Sequence, residues 1–429
     1  MKSEKAESRN AWFWIPSLYF TEGLPYVIVM TVSVIMYKKL EISNTDIALY
    51  TSWLYLPWVI KPLWSPVVDI FKTKRFWIII MQLVIGAGLA GVALTIPTDN
   101  FFKYTLAFLW LTAFSSATHD ISADGFYMIG LSKHDQAFFV GIRSTFYRIA
   151  MITGQGLLVM VAGYFEELHP ENISIAWSIT FTILAGLILI FMIYHKFILP
   201  YPRNDMPAVS ENKELFKEFL NTFVLFFKKK NIGIILTFLL IYRLGESQLV
   251  KLAAPFLLDA KDAGGLSLST GEVGFIYGTV GLISLTLGGL LGGILASKHG
   301  LKYWLWWMLV AINLPNAVYI YLSYVLPDSI FIVSLCVAVE QFGYGFGFTA
   351  YMLYMIYVSD GKHKTAHFAI TTGFMALGMM LPGMISGWLQ EMMGYKLFFI
   401  WVLLSTIPAF VVSKFIDINS DFGKKTEQA

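Results

Sequence analysis

The chain has 429 residues, of which 57% are hydrophobic and only 14% are charged, and its formal net charge is +3. Soluble domains usually carry about 25% charged residues, so this much apolar surface indicates a protein whose solvent is lipid. The basic residues are scattered over short loops, which argues against nucleic-acid binding. No Cys/His cluster and no G-x-x-x-x-G-K-[ST] stretch occurs, so we expect no metal, no cofactor and no ATP hydrolysis within the chain.

Twelve apolar segments are each long enough to cross a bilayer as a helix, which takes about 20 residues. We predict spans at residues 12–37, 46–68, 76–97, 102–131, 137–164, 173–198, 231–258, 271–296, 302–325, 329–358, 365–391 and 395–416. The first segment is too long for the apolar core of a signal peptide. All twelve exceed the roughly ten-residue strands of membrane β-barrels and do not alternate. The sequence therefore predicts an all-α integral membrane protein.

The longest polar interruption runs from residue 200 to residue 230 and divides the spans into two sets of six. It predicts an N-terminal bundle over 1–199, a cytoplasmic linker over 200–230 and a C-terminal bundle over 231–429. The second part of the linker has an apolar face at helical spacing and a basic end. A helix lying on the membrane surface is one interpretation, and an ordinary amphipathic linker helix is the favoured one.

The distribution of Lys and Arg predicts the orientation of the chain. With both termini in the cytoplasm, cytoplasmic segments hold 21 basic residues and the opposite loops hold 5. Such an asymmetry is typical of the positive-inside rule.

Two related stretches follow the second and the eighth spans. The first contains Ser65 and Asp69, and the second contains Gly293, Leu295, Ala296 and Gly300. Both resemble the loop signature G-x-L-a-D-r-x-G-r-k of the major facilitator superfamily, and they lie at equivalent places in the two halves. The resemblance implies two six-helix bundles related as parallel repeats, with Ser65, Asp69, Gly293 and Gly300 as gating residues. A plain helix–helix turn with Asp69 as a cap is the alternative.

Ten charged residues lie in the interiors of the predicted spans, away from the span ends, five acidic and five basic. Such residues are costly in a bilayer and are candidates for function, and their equal numbers suggest mutual neutralisation around a watery cavity lined from both halves. They are Glu22, Lys61, Asp120, Asp124, Arg143, Arg148, Arg243, Glu246, Lys251 and Glu340.

Asp120 and Asp124 are four residues apart and therefore share one helix face. Two neighbouring carboxylates in a low-dielectric environment resist ionising together, so one of them is expected to hold a proton. Arg148 on the next helix is the expected counter-charge, with a purely structural Asp–Arg pair as the alternative and a relay role for His119 less favoured. Arg243 and Glu246, three residues apart, are expected either to bond each other or to meet substrate.

Several segments resemble AmpG-type permeases, over essentially the whole membrane region. The matching motifs are Tyr19-Phe-Thr-Glu22-Gly-Leu-Pro-Tyr26, Lys61-Pro-Leu-Trp-Ser-Pro-Val-Val-Asp69, the Asp120-x-x-x-Asp124 pair, Tyr147-Arg148 with Gly154-Gln-Gly156, Leu244-Gly-Glu246, and Glu340-Gln-Phe-Gly343. The resemblance implies proton-driven import of anhydro-muropeptides across the bacterial inner membrane, with the aspartate pair essential. One departure is Arg243-Leu-Gly-Glu246, where the family usually has Lys-Leu-Gly-Asp. Related permeases for siderophores, oligosaccharides or acetyl-CoA are the alternatives.

The expected site combines proton-coupling and substrate-binding residues and belongs to a monomeric carrier rather than to a membrane enzyme or a receptor. Its partners are protons, the lipid bilayer and a small polar or anionic substrate. The coupling residues are Asp120 and Asp124, and the substrate-binding residues are Glu22, Lys61, Tyr127, Arg148, Arg243, Glu246, Glu340 and Gln341.

Overall fold

The computed structural model describes residues 9–206, 212–361 and 364–424. Within these ranges no side chain is described for residues 66, 69, 70, 133, 134, 137, 140, 212–219 and 365. The described residues form helices joined by short turns and contain no strand, which confirms the all-α prediction.

Six helical spans precede the linker. They are α1 (Ala11–Lys39), α2 (Asn44–Trp53 and Leu56–Ile70), α3 (Lys74–Thr95), α4 (Phe101–Gly130), α5 (Lys133–Ile152 and Val159–Leu168, joined by Thr153–Leu158) and α6 (Ile173–Ile198). Helix α1 contains Pro25, and a π-helical turn over Ile28–Val32 follows it. A proline removes one backbone donor, so the helix is irregular here.

A linker helix, Asn212–Phe227, leads to the second set of spans. They are α7 (Ile232–Ile241 and Leu244–Leu258), α8 (Thr270–His299), α9 (Leu301–Val325), α10 (Ile330–Ser359), α11 (364–393) and α12 (395–413). Gly394 separates α11 from α12 with φ 72° and ψ 165°. This conformation is accessible to glycine at little cost.

Nine helical runs in the described ranges are long and apolar enough to cross a membrane. Three further predicted spans correspond to α2, to α4, and to α12, which continues from α11 past Gly394. Each of the twelve predicted spans therefore has a helical counterpart.

Contacts group the described helices into two compact units. Unit 1 contains residues up to 36 together with 60–219, and unit 2 contains 37–59 together with the residues from 220 onward. Residues 37–59 precede the linker in sequence but pack with the helices that follow it, so the packed units do not coincide with the predicted halves there.

Each unit has an aromatic core. In unit 1, Trp14 packs edge-on against Phe126 with ring centroids 5.4 Å apart. In unit 2, Tyr242 stacks on Tyr351 at 4.9 Å, and both are fully buried. Helices α8 and α10 approach so closely that a Cβ on Gly345 would lie 1.9 Å from the Leu285 carbonyl oxygen. Small residues at such contacts allow helices to pack backbone to backbone.

Candidate functional site

A cluster of charged side chains lies inside unit 1, where α1, α2, α4 and α5 contribute to it. We call it the first cluster, and it consists of Tyr19, Glu22, Lys61, Asp120, Asp124 and Arg143. Gly23 allows α5 to come close to α1, since a Cβ there would lie 3.0 Å from the Tyr147 carbonyl oxygen. The glycine next to Glu22 therefore brings the basic residues of α5 toward the acidic residues of α1 and α4.

Asp124 is held by Arg143 and Tyr19. The Arg143 Nη1 lies 3.0 Å from Asp124 Oδ1 and donates a hydrogen bond of 2.9 Å to the Tyr19 hydroxyl. That hydroxyl in turn donates to Asp124 Oδ1 over 3.2 Å. The guanidinium carbon also lies 4.7 Å and 4.9 Å from the ring centroids of Tyr19 and Tyr127, which is within cation–π range. Tyr127, predicted to bind substrate, thus forms one wall of the Arg143 site.

Asp120 has a different basic partner. Its Oδ2 lies 3.7 Å from Lys61 Nζ, and both side chains are mostly buried. Arg148, the predicted counter-charge, forms no ion pair with either aspartate among the described residues of this structure. Arg148 is half-buried, and its Nη1 has no hydrogen-bond partner among the described residues. The predicted Asp–Arg pairing therefore exists, but with Arg143 in place of Arg148.

Glu22 is the unpaired acid of the first cluster. Its side chain is 8% exposed, and its Oε2 is buried with no hydrogen-bond partner in the described part of the chain. It interacts electrostatically with Asp120 and Asp124, which repel it, and with Arg143 and Lys61, which attract it. No ion pair joins it to either base in the described ranges.

His119 belongs to a separate buried polar network. Its Nε2 lies 2.9 Å from Gln82 Nε2, and the Gln82 Oε1 lies 3.0 Å from His195 Nδ1. His195 Nε2 reaches the Ser17 hydroxyl at 3.0 Å. This network joins α1, α3, α4 and α6, and no carboxylate is among its described members.

Unit 2 contains a second cluster, formed by Arg243, Glu246, Glu340, Gln341 and Tyr344. Helix α7 is interrupted at Tyr242–Arg243, and Glu246 lies in the first turn of its second segment. Arg243 donates to the Tyr344 hydroxyl and lies 5.0 Å from the ring centroids of Tyr344 and Phe348.

The expected bond between Arg243 and Glu246 is absent from the described contacts. Arg243 Nε and Glu246 Oε2 are both buried without partners there, as are both side-chain atoms of Asn316. Glu340 accepts a hydrogen bond of 2.9 Å from Gln341 Nε2. The second cluster thus contains several buried polar atoms that have no hydrogen-bond partner among the described residues.

Lys251 is a buried base to which the sequence assigned no role. Its side chain is 1% exposed, and its Nζ donates to Thr51 Oγ1 over 2.9 Å. The Tyr55 ring lies 5.1 Å away. No carboxylate lies within ion-pair distance of Lys251 in the described ranges. Its position was not predictable because it depends on the packing of the first segment of α2 against α7.

The predicted gating residues occupy helix ends and a helix surface. Gly300 joins α8 to α9 with φ +86°, a conformation that favours glycine, and the next amide, of Leu301, donates to the Phe422 carbonyl over 3.0 Å. Gly293 faces open space, and Ser65 is half-buried in α2. The Asp69 side chain lies outside the described residues.

In the first signature loop, the Asp205 carboxylate accepts hydrogen bonds from the backbone amides of Lys74 and Arg75, at 2.6 Å and 3.0 Å.

Comparison with known proteins gives consistent results for family and fold. The family model described as Major Facilitator Superfamily matches residues 17–381. A protein named "Putative transporter AmpG 4" of Rickettsia conorii is 26% identical, over 94% of this chain and 96% of that protein. The "Anhydromuropeptide permease" of Escherichia coli (strain K12) is 24% identical, over 95% of this chain and 82% of that protein.

Solved structures share the fold at low sequence identity. The nucleoside transporter NupG matches with a TM-score of 0.70 and 17% identity, over 94% of this chain and 98% of the NupG chain. A D-xylose-proton symporter matches with a TM-score of 0.66 and 14% identity, over 96% of this chain and 98% of the symporter chain.

Proposed function

Since the chain belongs to the major facilitator superfamily of membrane transporters, we propose that it is a proton-coupled carrier that imports anhydro-muropeptides by alternating access. The membrane is the bacterial inner membrane, with both chain termini on the cytoplasmic side. The observation that carries the proposal is the likeness to a permease named for these compounds over 95% of this chain.

The chemistry of the two clusters suits such a substrate. A GlcNAc-anhydroMurNAc peptide presents carboxylates, amides and sugar hydroxyls. Guanidinium and ammonium groups pair with carboxylates, often with two parallel hydrogen bonds in the case of Arg. Lys61, Arg148 and Arg243 take this role in our proposal. Tyr127, Gln341 and the glutamates Glu246 and Glu340 bind hydroxyls and amides.

Unsatisfied polar atoms support the assignment of the arginines. Arg148 Nη1, Arg243 Nε and Glu246 Oε2 are buried without partners in the described part of the protein. A buried polar group without a hydrogen bond is costly, by about 1–3 kcal/mol. A ligand that supplies the missing partners therefore gains more than one that meets groups already bonded to the protein.

In our proposal, proton coupling belongs to the first cluster, which includes the predicted coupling residues Asp120 and Asp124. Ionisable groups inside a membrane protein are expensive to bury, and they commonly mark proton pathways. The loop residues Ser65, Asp69, Gly293 and Gly300 complete the proposal as the elements that engage and disengage during alternating access.

The test is uptake of a labelled GlcNAc–anhydro-muropeptide into proteoliposomes, with and without an inward proton gradient. Wild-type protein is expected to accumulate the compound only with the gradient. Arg243→Gln is expected to weaken uptake at low substrate concentration, whereas Lys103→Gln, an exposed base on α4, serves as the matched control. Folded wild-type protein that fails to take up the muropeptide would refute the substrate. Direct uptake assays with labelled siderophores, oligosaccharides and acetyl-CoA then identify the alternative.

A further inference from the structure

We propose that Glu22 is the carboxyl that takes up and releases the coupling proton, while Asp120 and Asp124 stay in their ion pairs with Lys61 and Arg143. The proposal rests on the proton coupling described above and names the group that performs it. It follows from which acids of the first cluster have a basic partner and which one has none.

The first cluster contains three carboxyls and two paired bases. Arg143 lies 3.0 Å from Asp124, and Lys61 lies 3.7 Å from Asp120. Asp124 receives a further hydrogen bond from Tyr19. Both aspartates therefore have the partner that stabilises their charged form. In contrast, Glu22 has neither an ion pair nor a hydrogen bond at Oε2 within the described ranges.

Burial makes an ionised Glu22 unfavourable in this arrangement. An isolated carboxylate removed from water loses several kcal/mol of solvation unless a partner replaces it. Asp120 and Asp124 repel a third negative charge nearby. Protonation of Glu22 removes both penalties. The remaining acids and bases of the first cluster are then equal in number, two of each, so that their charges cancel.

Among the described residues, no further base lies close enough to Glu22 to neutralise it. The charged and titratable groups that face it are Tyr19 from α1, Lys61 from α2, Asp120 and Asp124 from α4, and Arg143 and Tyr147 from α5. From α3 and α6, Gln82 and His195 face the same helix but are bonded to Thr21, Ser17 and each other. Lys61 and Arg143 are the cations of this set, and each already pairs with an aspartate.

Release of the proton requires hydration of Glu22 or the approach of one of these bases. Arg143 is well placed for this, because its Nη1 already reaches Tyr19, one turn before Glu22 on α1. In each cycle the proton passes from water on one side to the Glu22 carboxylate and from the carboxylic acid to water on the other. No other bond is made or broken.

Infrared spectroscopy tests the proposal without any substrate. Purified protein in lipid vesicles is titrated with pH, and the C=O stretching band of protonated carboxyl groups is recorded. Glu22→Gln is expected to lose the intensity of one carboxyl at every pH. In Asp120→Asn and Asp124→Asn the band is expected to be present at low pH but to disappear at a lower pH than in the wild type, because each substitution frees a base for Glu22 and removes a repelling charge. Glu166→Gln is the matched control, since Glu166 is an equally buried glutamate of unit 1. Its Oε1 accepts a hydrogen bond of 2.8 Å from Trp177 Nε1. Loss of the band in an aspartate variant but not in Glu22→Gln overturns the proposal.

Transport then separates coupling from binding. An inward gradient of one pH unit supports about tenfold accumulation per coupled proton. Glu22→Gln is expected to reduce the accumulation ratio to about one, while exchange of internal for external substrate continues and loses its pH dependence. Glu22→Asp is expected to restore gradient-driven accumulation. An accumulation ratio in Glu22→Gln equal to that of the wild type would overturn the assignment of Glu22. Absence of uptake by the wild type would instead refute the proposed substrate, and the assignment of Glu22 would then be decided by the infrared experiment.

Discussion

Arg143 is the basic partner of Asp124, and a double-mutant cycle can measure this pairing. The perturbations are Arg143→Gln, Asp124→Asn and the two together. Arg148→Gln provides the matched control, because Arg148 lies five residues further on the same helix and makes no described contact with either aspartate. The quantity of interest is the coupling free energy, which is the part of the double mutant's effect that the single variants do not explain.

The structure sets the size of this coupling. Removing one partner of a fully buried ion pair costs about 3–5 kcal/mol, and exposed pairs contribute about 0.2–1 kcal/mol. The Arg143 and Asp124 side chains are 30% and 42% exposed, so the pair lies between these limits. The shared Tyr19 hydroxyl adds a second connection between the two residues. We expect a coupling of about 1–2 kcal/mol for Arg143 with Asp124 and a value near zero for Arg148 with Asp124.

The assay is the free energy of unfolding in mixed micelles as a function of SDS content. Because stability is measured without substrate, the result does not depend on the proposed function. A coupling for Arg148 that equals or exceeds that for Arg143 would show that the pairing described here is wrong. Equal and purely additive effects of both arginines would show that Asp124 has no specific partner.

Three further predictions concern packing and capping. Gly345→Ala is expected to lower the free energy of unfolding by about 1–3 kcal/mol, because the added Cβ would lie 1.9 Å from a backbone oxygen of α8. Gly293→Ala is the control and should have little effect, because a Cβ at Gly293 would have no atom within 4 Å. Lys251→Met is expected to keep or raise the thermal midpoint in detergent, because the buried ammonium has a hydroxyl and an aromatic ring as its described partners; a fall of several degrees would indicate an unrecognised partner. Asp205→Asn is expected to cost about 1 kcal/mol in SDS unfolding, since its carboxylate accepts the first two amides of α3, and an unchanged stability would contradict that capping role.

Much of the fold was predictable because the lipid solvent imposes a simple rule on sequence. A helix that crosses the membrane must be apolar for about 20 residues, so the twelve spans could be located from hydropathy alone. Charges within those spans are rare enough to be noticed individually. For this reason, the charged residues of both clusters were all identified as candidates from the sequence, whereas Tyr19 and Tyr344, which accept hydrogen bonds from the arginines, were not.

The partners of those charges were not predictable, because they depend on how neighbouring helices are rotated and shifted. Residues five apart on a helix are separated by about 140° of rotation, so Arg143 and Arg148 face different directions. Only one of them can meet α4, and sequence spacing alone does not say which. The close packing of α5 at Gly23 settles the question in favour of Arg143.

The two halves place a glutamate in a comparable setting on their first helices. Glu22 precedes Gly23 on α1, and Glu246 follows Gly245 on α7; both glycines lie against a neighbouring helix, and both glutamates have a buried Oε2 without a partner in the described residues. Their charge environments differ, because Glu246 has Arg243 close by on its own helix, while the bases near Glu22 are held by the aspartates of α4. Two glutamates that pack similarly but differ in their basic neighbours are suited to different roles in transport. Arg243 favours a role for Glu246 in binding a polar substrate, whereas Glu22, whose neighbouring bases are paired with aspartates, is the acid to which our proposal assigns the proton.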